Sequence, residues 1–146
     1  MKKIFLSTFA VLVTVVFSSA YALEDKEIRE NIKRLGSSEK FVKILAETIS
    51  KSVPSQIDSE TKIVSVVANG NTLNITHEMI NAKTKNDIGD KKAISEFIKF
   101  QTNKVCTSQL GNILTNEYGV IYHYQYLSST GINLFVFDIK KSNCLK

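Results

Sequence analysis

The stretch KIVSVVANGNTLNITHEM, Lys62–Met79, decides the fold of this chain. β-Branched residues flank Asn69-Gly70, and Asn-Gly between two such runs predicts a β-hairpin, because a type I′ turn needs positive φ at both central positions. The second run alternates in polarity, so one of its faces is predicted to be buried. That face consists of Leu73, Ile75, His77 and Met79.

Residues 26–52, which precede this hairpin, have helical periodicity. Their apolar residues recur every three or four positions and form one apolar helix face. Gly36-Ser37-Ser38 interrupts the pattern, and either serine there is suited to cap another helix. We therefore expect two helices, or one kinked helix. Pro54 ends the segment, because the residue before a proline is disfavoured in helical conformation.

Two more helices are predicted after the hairpin. Asp90 is placed to cap a helix that ends near Cys106. Thr107 or Ser108 can cap a short helix, which Gly119 would end in the left-handed conformation. The polar residues before Asp90 predict a loop.

A second hairpin is predicted from residues 120–127 and 132–141, joined by a turn at 128–131. Its last strand has apolar residues on both faces, which is typical of a central or covered strand. The expected fold class is α+β. It has one or two N-terminal helices, two antiparallel hairpins forming a four-stranded sheet, and a helix and a short helix between the hairpins.

The first 22 residues have the pattern of a cleavable signal peptide. Lys2 and Lys3 precede an apolar run at 4–17, and Ala20 and Ala22 precede the expected cleavage site. The run is shorter than the roughly 20 residues of a membrane-spanning helix. We therefore expect residues 1–22 to be removed and 23–146 to form a single α+β domain. The product is expected in the periplasm, with no stable membrane anchor.

The charge of the expected mature chain argues against nucleic acid as a partner. Removing Lys2 and Lys3 takes the 19 basic residues to 17, against 14 acidic ones, for a net charge of +3. The basic runs Lys83-Thr84-Lys85 and Lys140-Lys141 are short, and both charge signs are interspersed elsewhere. A nucleic-acid surface would show clustered basic residues instead.

Cys106 and Cys144 are the only cysteines of the chain. In an exported protein an even pair predicts a disulfide, although free thiols or pairing with another chain would also fit the sequence. Closing a loop of 38 residue steps would stabilise the fold by roughly 4 kcal/mol on the chain-entropy model.

The sequence lacks the residue patterns of common enzymes. Nucleophilic hydrolysis needs a histidine base with a positioned nucleophile and acid. His77 and His123 both occupy strand positions, and no Gly-x-Ser-x-Gly motif is present. If the two imidazoles met across adjacent strands, they would still form a weak zinc site without a third ligand. We therefore expect no enzymatic activity, no cofactor and no metal.

Tyr122, Tyr124 and Tyr126 form a row on one face of the first strand of the second hairpin. Such rings can pack beneath a helix with their hydroxyl groups at the rim. If exposed, they would form a protein-binding face instead. They are the candidate partner-binding residues of the sequence.

Residues 46–146 resemble the small α/β pilotins of type II secretion, of the AspS type. The resemblance rests on Ser52-Val53-Pro54, the strands around Asn69-Gly70, Val105-Cys106, Leu110, Leu114, Gly119-Val120-x-Tyr122-x-Tyr124, Gly131 and Cys144. It implies helices packed on an antiparallel sheet, the cysteine clip, and a groove that receives a short helix of a secretin. Pilotins carry an acylated N-terminal cysteine, but this chain has Ala22-Leu23 at that position.

The sequence thus leaves two hypotheses for function. One is a non-enzymatic soluble periplasmic protein that binds a protein partner, such as a secretin-like segment, and is related in fold to pilotins. The alternative is a periplasmic immunity or inhibitor protein that blocks a bacteriocin, another exported toxin or a cell-wall hydrolase. Blocking a cleft needs shape and a few well-placed contacts, so it requires no catalytic groups.

Overall fold

A computed structural model of the chain describes residues 24–145. The expected signal peptide and its cleavage site therefore lie outside the described residues. The elements in chain order are α1 (Asp25–Leu35), α2 (Ser38–Ser50), β1 (Ser55–Gln56), β2 (Thr61–Asn69), β3 (Thr72–Met79), a 3-10 helix (Lys85–Ile88), α3 (Lys91–Thr107), α4 (Gln109–Asn112), a π-helical turn (Ile113–Glu117), β4 (Ile121–Ser128), β5 (Asn133–Ile139) and α5 (Lys141–Cys144).

The N-terminal region forms two helices, as one of the two expected arrangements predicts. Gly36 ends α1 with φ 83°, a conformation that glycine adopts without steric cost. Ser37 then begins α2, and its hydroxyl accepts a hydrogen bond from the backbone N–H of Lys40. Asp90 caps α3 in the same way, through the backbone N–H of Ala93. The starts of α2 and α3 therefore follow from local capping chemistry.

The five strands form one sheet in the order β1-β2-β3-β4-β5. The expected fold class is confirmed, and the sheet has one strand more than expected. β1 is only two residues long and pairs with Lys62 and Ile63, which is too short to show a sequence pattern. β3 and β4 pair in parallel, whereas the other neighbours are antiparallel. The segment that holds α3 and α4 makes this parallel crossover possible.

The first hairpin turns one residue later than Asn69-Gly70 predicts. Asn69 pairs with Thr72, so the central turn residues are Gly70 and Asn71. Gly70 has φ 55°. The Asn71 side chain donates a hydrogen bond of 2.8 Å to the carbonyl oxygen of Tyr118. This long-range bond ties the turn to the chain just before β4, and the local sequence carries no signal for it.

The prediction of a central last strand was wrong, because β5 is an edge strand of the sheet. Ile132 and Val136 are each 47% exposed, so their side of the strand is open. Leu134 is buried because the β4–β5 register shifts between Tyr126 and Leu127. The apolar residues on both faces therefore reflect an irregularity of pairing rather than cover on both sides.

The core lies between one face of the sheet and the helices. Every second residue of β3 and β4 is buried. α2 packs against β2, and Phe97 of α3 makes edge contacts with the rings of Tyr126 and Phe135. The other face of the sheet has no buried residue in β3 or β4, since its side chains there are only partly covered. The helices thus leave one sheet face and the sheet edges as available surface.

Cys106 and Cys144 form a disulfide, with their Cα atoms 5.3 Å apart. The bond joins the C-terminal part of α3 to α5. The prediction of an intramolecular disulfide is confirmed, and the described part of the chain has no free cysteine.

Candidate functional site

The three candidate tyrosines lie in the interior of the fold. Tyr122, Tyr124 and Tyr126 are 4%, 3% and 1% exposed. Their row is therefore part of the core, and a protein partner has no access to the rings in this conformation. Their role in partner binding stays a prediction.

The tyrosines belong to a stack of aromatic rings that crosses three strands. The His77 imidazole of β3 stacks on Tyr126 of β4 with the ring centroids 4.6 Å apart. Tyr126 also stacks on Phe135 of β5 at 4.6 Å, and Tyr124 stacks on Phe137 at 5.1 Å. These cross-strand pairs stabilise strand order and register by packing. The arrangement is structural in kind, because His77, Tyr124 and Tyr126 are buried in the core.

Burial sets the protonation states within this stack. It lowers the pKa of His77 to about 3, because the charged imidazolium would lose its hydration. Burial also raises the pKa of Tyr122 and Tyr124 above the usual value. His77 is therefore neutral, and the tyrosines keep their protons, across the physiological range.

His123 lies on the opposite face of the sheet from His77. Its Nδ1 is 2.6 Å from a carboxylate oxygen of Asp138 on the neighbouring strand, and both side chains are partly exposed. His77 pairs in register with Tyr126, whereas His123 pairs with Asn74 and Asp138. The two imidazoles therefore cannot share a metal ion. Within residues 24–145 no group of three or more His, Cys, Asp or Glu side chains is arranged to hold one.

Two surface grooves lie beside α2. One has a volume of about 580 Å³ and lies where α1 meets α2, beside Tyr118. Its wall includes Arg29, which donates two hydrogen bonds to the carboxylate of Glu117, at 2.8 and 2.6 Å. This exposed bidentate ion pair connects α1 to the π-helical turn and lowers the pKa of Glu117.

The other groove has a volume of about 440 Å³ and runs between α2 and β2. We call it the β2 groove. Lys40, Lys43 and Glu47 line its helix side, and Val66 and Ala68 line its strand side. Sequence reasoning did not find it, since it lies between α2 and the part of β2 that β1 leaves uncovered. No local pattern in the sequence reports where a partner strand ends.

None of the helices between residues 24 and 145 has the length and apolar character needed to cross a bilayer.

Comparisons with solved structures show proteins of the same architecture. The pilotin EpsS of the Vibrio vulnificus type 2 secretion system superposes with a TM-score of 0.61 and 16% identity, over 80% of this chain and 97% of that one. The type II secretion pilotin AspS of Vibrio cholerae superposes with a TM-score of 0.57 and 16% identity, over 80% of this chain and 98% of that one. A secreted-protein candidate from Pseudomonas aeruginosa superposes with a TM-score of 0.63 and 16% identity, over 73% of this chain and 92% of that one.

The chain therefore has a pilotin-like fold, as its resemblance to these proteins implies. The match includes nearly the whole length of both pilotins. No protein-family model and no curated protein sequence matches the chain. At 16% identity the likeness is one of architecture, and the fold is shared although most side chains differ.

Proposed function

We propose that this protein is an exported, non-enzymatic protein that binds a segment of another protein, in the manner of a secretion accessory factor. The observation that carries this proposal is the pilotin-like fold over almost the full length of two type II secretion pilotins. A secretin-like outer-membrane protein is the partner class that this likeness favours.

Two features support export as part of the proposal. Residues 1–22 have the charge and hydropathy pattern of a signal peptide. The disulfide Cys106–Cys144 is a bond that persists in oxidising compartments such as the periplasm. We propose that residues 23–146 form one periplasmic domain, whose described part folds around a single core.

Partner capture from the native periplasm tests the proposal. The chain is expressed in its own cell with a C-terminal affinity tag, chemically crosslinked, purified under oxidising conditions and analysed by mass spectrometry. We expect one enriched partner that is absent with a Phe97→Asp variant, whose buried charge prevents correct packing. Enrichment of an outer-membrane secretin supports the proposed role. A bacteriocin or wall hydrolase would instead support the inhibitor alternative, and no specific partner would contradict both.

A further inference from the structure

The step from Asn69 to Gly70, at the end of β2, places a side-chain amide beside an accessible backbone nitrogen. Asn69 is the only asparagine of the chain that precedes a glycine. Both residues are exposed. Glycine has no Cβ, so no side chain on Gly70 blocks the approach of the Asn69 amide to the Gly70 nitrogen. The two groups can therefore meet and react.

The backbone N–H of Gly70 is not used by the fold. Asn69 and Thr72 form the last pair of the β2–β3 ladder, and Gly70 lies outside it. Within residues 24–145 no hydrogen bond has this N–H as its donor. Apart from the two chain neighbours, the nearest atom to a Cβ at Gly70 would be a carboxylate oxygen of Glu39, at 4.0 Å. The nitrogen can therefore act as a nucleophile without breaking a hydrogen bond of the fold.

The side chain of Asn69 is less constrained than those of the other two asparagines in this hairpin. Asn71 and Asn74 each donate a side-chain hydrogen bond to a backbone carbonyl oxygen, at 2.8 and 3.3 Å. Each of them precedes a β-branched residue, whose stiff side chain crowds the next backbone nitrogen. Among residues 24–145 no hydrogen bond holds the Asn69 side chain. The three residues share one hairpin, but only Asn69 combines a free amide with an open neighbour.

We propose that Asn69 is a site of spontaneous deamidation, and that the isoaspartyl product loosens the first hairpin. The Gly70 nitrogen attacks the side-chain carbonyl carbon of Asn69, so that an N–Cγ bond forms and the Cγ–Nδ2 bond breaks. The Gly70 amide proton passes to water, and the leaving nitrogen takes a proton from water and departs as ammonia. Water then opens the cyclic imide, and no oxidant, reductant or enzyme is required.

The two products of imide opening differ in the length of the main chain. Attack of water at the side-chain carbonyl carbon gives aspartate with a normal backbone. Attack at the main-chain carbonyl carbon gives isoaspartate, in which the chain runs through the former side chain and gains one carbon atom before Gly70. Both products carry a new negative charge, but only the isoaspartyl form changes the path of the backbone.

The turn cannot shift to absorb this extra atom, because Asn71 is held from two directions. Its side chain donates a hydrogen bond to the carbonyl oxygen of Tyr118, and its own carbonyl oxygen accepts one from the N–H of Ile121 at 3.0 Å. The added length therefore falls on the ladder pair next to the turn. Asn69 and Thr72 then lie out of register, and register decides which backbone groups can pair.

The first test ages the purified protein, with its disulfide intact, in mildly alkaline buffer and maps asparagine conversion by mass spectrometry. Alkali favours the reaction because the attacking nitrogen must lose its proton. We expect conversion at Asn69 to be at least about tenfold faster than at Asn71 or Asn74. Asn69→Gln keeps an amide but would have to close a larger ring, so it should release no ammonia from this position.

Two results would overturn the assignment of the site. One is an Asn69 that stays intact in the folded protein but converts in the urea-unfolded chain, since the hairpin would then protect it. The other is conversion of Asn71 or Asn74 at the same rate as Asn69.

The second test measures the hairpin in the isoaspartyl form after chromatographic separation from the aspartyl form. We expect amide hydrogen exchange at position 69 and at Thr72 to be at least about tenfold faster than in fresh protein. Asn69→Asp is the matched control, because it carries the new charge on a backbone of normal length, and it should exchange as the wild type does. If Asn69→Asp and the isoaspartyl form exchange at the same rate, chain length has no effect and the proposed loosening is overturned.

Discussion

The imidazole of His77 lies flat on the ring of Tyr126, with an interplanar angle of 9° and 4.6 Å between centroids. Both residues are almost completely buried. A titratable ring thus forms part of the hydrophobic core, where it is stable only in its neutral form. The protonation of one core residue is therefore coupled to folding.

We expect acid to destabilise the protein through His77. Burial lowers its folded-state pKa to about 3, below the unfolded value of roughly 6.5. The unfolded chain therefore binds the proton first, so the contribution to stability is complete above the unfolded pKa and is lost as pH falls towards 3. Between about pH 7.5 and pH 5 the loss is roughly 2 kcal/mol.

Urea unfolding of the wild type and of His77→Phe, each at about pH 7.5 and pH 5, measures how much His77 contributes to the loss of stability in acid. The phenyl ring keeps the stack but cannot be protonated, so this variant should lose about 2 kcal/mol less than the wild type on acidification. His123→Gln, on the partly exposed face, is the matched control. If the free energy of unfolding had the same pH dependence in the wild type and in His77→Phe, His77 would not be the source of the acid sensitivity.

Breaking the disulfide should lower stability substantially. The bond closes a loop of 38 residue steps, which corresponds to roughly 4 kcal/mol of unfolded-state entropy. Calorimetry of Cys106→Ser should show a lower melting temperature, and thiol titration should find Cys144 reactive. The double variant Cys106→Ser, Cys144→Ser lacks both the disulfide and a free thiol, so it separates loss of the bond from effects of the free thiol. A Cys106→Ser melting temperature equal to that of the wild type would exclude a stabilising role.

Gly111 in α4 should not tolerate a side chain. A Cβ at this position would overlap the carbonyl oxygen of Val105 and the hydroxyl of Ser108, which caps α4. Gly111→Ala should therefore cost about 1–3 kcal/mol, a range typical of overpacking. Denaturant unfolding measures the change, and Asn112→Ala at the exposed neighbouring position is the control. Stability within a few tenths of a kcal/mol of wild type would show that the α3–α4 junction can shift at little cost.

An aspartate in place of Phe97 should disrupt the core far more than an aspartate in place of Phe100 on the same helix. Phe97 is buried against Tyr126 and Phe135, whereas Phe100 on the same helix is half-buried beneath the ammonium group of Lys104. We expect Phe97→Asp to lose roughly 4 kcal/mol or more and Phe100→Asp considerably less. Near-ultraviolet circular dichroism and urea unfolding test this difference. Similar losses for both would mean that the core does not centre on Phe97.

The sequence predicted those parts of the fold that short-range chemistry controls. Ser37 and Asp90 cap helices through bonds to residues three positions away, so their roles are visible in a short window. The alternation around Ile75 likewise predicts a buried face without knowledge of the neighbours, whereas the sequence alone leaves open whether the row with Tyr124 is packed or exposed. The disulfide followed from the expected compartment and an even cysteine count.

The remaining features depend on contacts between distant residues. The turn at Gly70–Asn71 is fixed by the bond from Asn71 to Tyr118, and the edge position of β5 depends on which strand pairs with β3. The β2 groove depends on how α2 packs against β2. Each of these follows from tertiary packing, so a pattern confined to one segment cannot reveal it.

The disulfide also limits how copies of the chain can exchange parts. Cys106 and Cys144 lie on either side of β4 and β5 in the sequence, and their Cα atoms are 5.3 Å apart. To swap this hairpin between two molecules, the segments on both sides of it would have to swing open as hinges. The covalent bond holds those two hinge points together, so an intact intramolecular disulfide disfavours exchange of this hairpin between two copies.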